Sequence, residues 1–141
     1  MTVAVLNPVD SLAARIIMRR RATLSEISSG FASAIREGLC KYVVRGVLSE
    51  LERYSTEGFG YEEFCMAVSA YPDAASHAAE HDRFSEELAS LRGRLSCQRP
   101  DLPNASYELS VEINRLLADW LREHVGRSDM SLAASLRDEA G

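Results

Sequence analysis

The sequence predicts an all-α protein, an antiparallel up-down four-helix bundle. Three observations carry that prediction. Apolar residues recur every three or four positions through four stretches, the breaks between them fall at glycine or proline, and no stretch alternates as a half-buried strand would. A length of 141 residues fits one domain, 1–141, with the bundle core at about 11–126.

Residues 1–9 contain Asn7-Pro8 and are expected to form an arm, with Asp10 or Ser11 capping the first helix. From Leu12, the residues Ile17, Leu24, Ile27, Phe31 and Ile35 mark that helix to about Glu37, stopped at Gly38. Ser28-Ser29-Gly30 weakens its middle. A second helix carries Val44, Val47, Leu48, Leu51, Tyr54, Glu62, Cys65 and Met66, with a soft centre at Gly58-Phe59-Gly60, since each interior glycine costs roughly 1 kcal/mol against alanine. Pro72-Asp73 suits the start of a third helix bearing His77, His81, Phe84, Leu88, Leu91 and Leu95. Residues 96–105, with Pro100 and Pro103, read as the longest loop. A fourth helix begins near Ser106, carries Leu109, Ile113, Leu116, Leu117, Trp120, Leu121 and His124, and ends at Gly126; Ser128 to Ala140 adds a short helical tail.

The charge is uneven, +2 over residues 1–60 and −7 over residues 61–141, and only Arg19-Arg20-Arg21 forms a basic run. Such a surface lacks the clustered cations that nucleic acid requires. Cys40, Cys65 and Cys97 are odd in number and have no CxxC spacing, so they read as reduced thiols. No apolar run approaches a membrane span and no signal-peptide pattern opens the chain, so a cytoplasmic location is expected. Nucleophile-base pairs, phosphate loops and CxxC motifs are lacking too.

The one stretch with recognisable chemistry runs from Glu62 to His81. Residues four apart on a helix share a face, so His77 and His81 would direct two imidazoles at one spot. The Tyr71-Pro72 break lets the chain reverse and return Glu62 towards them. Glu63, Glu80, Asp82, Glu86 and Glu87 read as a solvated acidic face.

Five segments match a known pattern in order and spacing: Leu48-x-x-Leu51-x-x-Tyr54, Phe59-x-x-Glu62-Glu63-x-x-Met66, Tyr71-Pro72, His77-x-x-x-His81-x-x-Phe84, and Trp120-Leu121-x-x-His124-x-x-x-x-Asp129. Over roughly residues 12–135 the chain resembles the bacterial hemerythrins. The resemblance implies a four-helix bundle holding two irons through five histidines and two bridging carboxylates. It places His77, His81 and His124 on the histidines of one iron, and Glu62 and Asp129 on the bridging carboxylates. The second iron loses both of its histidines: one position holds Gly58, and the other aligns best with Arg21, judged by Leu24, Ile27 and Phe31.

Three imidazoles and two carboxylates suit iron, with Zn or Mn as alternatives, and one ion per chain is favoured over two. A guanidinium at Arg21 could pair with Glu62 or Asp129 in place of the second ion, or it could extend to solvent. Glu57, Tyr54 or Tyr61 are weaker candidates as substitute oxygen donors. Cys65, Met66, Tyr54, Phe84 and Trp120 are expected to line the pocket as apolar filler and packing.

In the family that the chain resembles, reversible O2 binding draws one electron from each of two irons, so a single iron fits binding or sensing of O2, NO or peroxide better than O2 carriage. A different reading is a metal-free, degenerate bundle acting as an interaction or regulatory module, as a homodimer or with a protein partner. A third and weaker one is oxidase- or peroxidase-like turnover.

Overall fold

In a computed structural model, which describes residues 8–97 and 105–139, the chain forms an all-α antiparallel four-helix bundle with no strand among the described residues. The helices are α1 (Pro8–Arg36), α2 (Cys40–Ser69), α3 (Ala74–Ser96), α4 (Ala105–Trp120) and α5 (Met130–Glu139), with a π-helical segment, Leu121–Asp129, joining the last two. The fourth arm of the bundle is therefore α4, the π segment and α5 in succession. Helix α1 packs along α5, and α2 along α3. No helix among the described residues is long and apolar enough to cross a membrane.

Several boundaries differ from the sequence expectation. Pro8 opens α1 rather than belonging to an arm, as a residue without an amide hydrogen can at a first helical turn, and Asp10 and Ser11 lie inside the helix. Residues 1–7 of the expected arm and 98–104 of the expected loop lie outside the described residues. Helix α2 runs unbroken through Gly58 and Gly60, because packing of its buried face outweighs two unfavourable propensities. Pro72 and Asp73 sit in the turn, and α3 starts at Ala74.

The chain does not stop at Gly126 but widens there. A Cβ at that position would lie 3.0 Å from the Leu121 carbonyl oxygen, five residues back, so glycine suits the close approach of a π turn. The sequence signal for a special backbone was real, and its consequence was a change of helical pitch rather than an end.

Helices α1 and α2 both end in Schellman turns. Gly38 adopts φ 76° while Leu39 N–H donates to Ala34 and Gly38 N–H to Ile35. The second turn repeats these bonds, from Tyr71 to Met66 and from Ala70 to Ala67, but the left-handed residue is Ala70, with φ 53°. That reversal brings Glu62 on α2 beside His77 on α3.

The apolar interior divides into two clusters. One contains Leu24, Phe31, Leu48, Tyr54, Phe59, Phe84, Leu117, Trp120 and Val125, and the other Ala13, Ile17, Cys65, Met66, Tyr71, Leu132 and Leu136. Every arm supplies a polar residue in the interval between them: Arg20 between Ile17 and Leu24, Glu62 between Phe59 and Cys65, His77 and His81 before Phe84, and Asp129 between Val125 and Leu132. A polar layer thus crosses the bundle.

An alanine held left-handed carries a steric cost of about 1–2 kcal/mol that glycine avoids. Ala70→Gly is expected to stabilise the bundle by about 1 kcal/mol, raising its melting temperature by roughly 2–4 °C in a thermal melt.

Candidate metal centre

Five buried side chains meet in the polar layer. Glu62, His77, His81, His124 and Asp129 are each at most 3% exposed, and one donor atom from each lies within 4.8 Å of all the others. Glu62 Oε1 is 2.8 Å from His77 Nε2 and 3.1 Å from His81 Nε2, as the turn of one helix would place an i, i+4 pair. Asp129 Oδ1 lies 2.9 Å from His124 Nε2 and 3.2 Å from His77 Nε2.

His124 and Asp129 share this focus because of the π segment. Five residues along an α-helix turn through about 140° from the starting face, whereas i→i+5 bonding stacks them. Without the wider pitch, His124 and Asp129 would not point to one place.

The donor set fits a metal ion on an observation beyond its composition. His124 Nε2 and Asp129 Oδ1 are buried and 2.9 Å apart, yet neither has a hydrogen-bond partner among the described residues. Atoms that approach this closely without hydrogen-bond alignment are aimed at a common point between them, as ligands of a cation are.

A relative, the bacteriohemerythrin of Stenotrophomonas maltophilia (strain R551-3), is 28% identical over 91 residues, 64% of this chain and 54% of the relative. Over those residues the chain is similar to a bacteriohemerythrin. It spans about half the length of that relative. No protein-family model matches it.

The five-donor centre has an outer layer that sequence reasoning assigned to a solvated face. Glu80 reaches across from α3, where Oε1 accepts a hydrogen bond from His124 Nδ1 at 3.1 Å and Ser128 Oγ donates to both of its oxygens at 2.9 and 3.0 Å. A proton held on Nδ1 leaves Nε2 free to face the centre. Glu63 Oε2 lies 3.4 Å from His81 Nδ1 without forming a hydrogen bond, its side chain 45% exposed. The signal for Glu80 was its place beside the histidine pair, but only the docking of α3 on the π segment reveals the partner.

Aromatic rings hold two imidazoles flat. Trp120 stacks on His124 with centroids 3.8 Å apart and planes 9° apart, and Phe59 stacks on His81 at 3.9 Å and 4°. Phe84 backs Trp120 at 4.2 Å, and Tyr54 meets the edge of Phe59. Phe59 was missing from the expected pocket although it adjoins Gly58. Cys65 and Met66 pack in the second apolar cluster, on the far side of Glu62.

Of the two readings for Arg21, the structure shows the second, extension to solvent. Arg21 is exposed, its guanidinium directed to the Met130 sulfur at 3.6 Å. Arg20 is the residue that turns inward, and it pairs with neither carboxylate: Nη2 donates to the Tyr54 carbonyl at 2.7 Å, and the guanidinium carbon lies 4.9 Å over the Tyr54 ring. One residue on a helix is a rotation of about 100°, enough to exchange the inward arginine for its neighbour.

Burial would raise the Glu62 carboxyl, but the imidazoles gathered on it, His124 nearby and His77 and His81 within hydrogen-bond distance, prevail and hold it far below the usual carboxylate range. Burial likewise opposes charge on His77 and His124. The two carboxylates close by, Asp129 and Glu62, outweigh it, raising His77 and carrying His124 to about 9.

With no metal bound, protonated His124 contributes stability fully below 6.5, its ordinary value, and loses it as pH rises through about 9. Ionised Glu62 contributes above its ordinary value of 4.5, and that stability is lost as pH falls through its depressed folded value. Chelator-treated protein is therefore expected to melt at falling temperatures from pH 6.5 to 9. Metal must displace these protons, so apparent Co(II) affinity should rise from pH 6.5 to 8.5, about tenfold per unit for each proton released, in a competition titration.

Removing the outer carboxylate should loosen the metal without unfolding the bundle. Glu80→Ala is expected to lower Zn(II) affinity by about 10–100-fold against a competing chelator, and Glu80→Gln by less, because its amide oxygen can still accept from Nδ1.

Proposed function

We propose that this chain is a hemerythrin-like, non-haem metal-binding protein. Its metal is iron, one ion per chain, held by His77, His81, His124, Glu62 and Asp129. The observation that carries this reading is the convergence of five buried donors, two of them lying close together without a hydrogen bond. All three histidines of the chain are spent on this one point, which supports a single ion.

Iron bound there would supply a Lewis-acidic, redox-active centre for a small ligand. The chain's own part is to hold and shield it. Trp120 and Phe59 fix the planes of two imidazoles and exclude water from their faces, while Glu80 and Ser128 keep the His124 proton on Nδ1. Such a centre suits binding or sensing of O2, NO or peroxide rather than O2 carriage, in a cytoplasmic protein acting alone, as a homodimer or with a protein partner.

A metal-free interaction module is the second reading, and one observation favours it. The raised affinity of His77 and His124 for protons lets two imidazolium charges balance Glu62 and Asp129 without an ion.

Metal analysis and an optical spectrum of protein made with iron supplementation, purified under controlled O2, separate the readings. About one iron per chain, lost in His77→Ala, is expected. Two irons with oxo-bridged absorption would defeat the single-ion reading; no metal, with His77→Ala folding normally, would favour the module.

A further inference from the structure

The contribution of α1 to the polar layer is a cation. Arg20 lies between Ile17 and Leu24, which belong to the two apolar clusters, and its guanidinium is seated against Gly58. A Cβ added at Gly58 would stand 2.5 Å from both Nε and Nη2 of Arg20, and 2.8 Å from the carbon between them. The absence of a side chain there is what admits the guanidinium. It also uncovers the Tyr54 carbonyl, whose second lone pair accepts from Nη2 at 2.7 Å while the Tyr54 ring lies under the positive charge at 4.9 Å.

Gly58 is four residues before Glu62, so the seat and the carboxylate share a face of α2, about 6 Å apart along its axis. A dication would balance the two carboxylates of the five-donor cluster. A second dication on the α1 side would meet Arg20 in addition, with no further buried carboxylate among the described residues to offset it; Glu50 and Glu57 share a cavity with Arg20 but also with Arg53.

We infer that Arg20, seated in the notch at Gly58, fixes the metal content of the centre at one ion by occupying the second cation position with the protein's own charge. This rests on the metal-binding reading above and adds its cause. The limit of one ion is set by an installed cation as well as by a shortage of ligands, so supplying a ligand at position 58 does not suffice while Arg20 remains.

The test is metal counting on the full chain. Wild type, Gly58→His, Arg20→His and the double variant Arg20→His/Gly58→His are loaded anaerobically with Fe(II) or Co(II), desalted and analysed for metal per folded chain. One ion is expected in wild type and in each single variant, and up to two in the double variant, with a d–d spectrum in the Co(II) form that changes between the first and second equivalents. Thermal melts accompany the counts: Gly58→His should lower the melting temperature, and replacing Arg20 in that background should recover part of the loss, since one clash is relieved. Two ions in Gly58→His alone, or one in a stably folded double variant, would overturn the role of Arg20. Failure of wild type to hold any ion would instead defeat the metal-binding reading, and the melts would then show whether the Arg20–Gly58 seat exists apart from it.

Discussion

Glu62 is a carboxylate at 1% exposure, and an isolated charge at that depth costs on the order of several kcal/mol. The bundle meets that cost by bringing three imidazoles to it from two other arms, and Asp129 joins the same cluster. Such an arrangement constrains everything around it. The α2–α3 turn must reverse tightly, even with alanine in a left-handed conformation, and the fourth arm must change pitch for His124 and Asp129 to reach the same point. The two apolar clusters then close over the layer from either side and keep its electrostatics strong by keeping water out.

The same layer explains why its outer groups matter. An imidazole has two nitrogens, and a metal-facing Nε2 requires the proton to sit on Nδ1. Glu80 supplies that preference from α3 to the π segment, with Ser128 holding the carboxylate, and the stacked Trp120 fixes the plane of the ring. Orientation, tautomer and shielding of one histidine thus come from three different parts of the chain. Arg20 shows the opposite use of charge, held off the carboxylates and anchored to a backbone carbonyl instead.

Much of the architecture could be read from the chain. The 3.6-residue spacing of apolar side chains marked all four arms, and the i, i+4 pair of His77 and His81 with a carboxylate before the Tyr71-Pro72 break marked the site. The five residues that the resemblance singled out are the five that meet. The errors share a cause. Gly126 and the Gly58-Phe59-Gly60 run were given their local propensities, and in both places packing of the flanking buried faces decided the backbone.

The class of fold, the order of the arms and the types of donor available were all set by periodicity and composition, which any single helix carries within itself. Packing of one helix on another set the rest: Arg20 and not Arg21 turns inward, Gly126 widens a helix rather than ending it, and Glu80 serves His124 instead of the solvent. Each of these depends on how far one helix is rotated about its axis against its neighbours. A single residue changes that rotation by about 100°, which no pattern within one helix can specify.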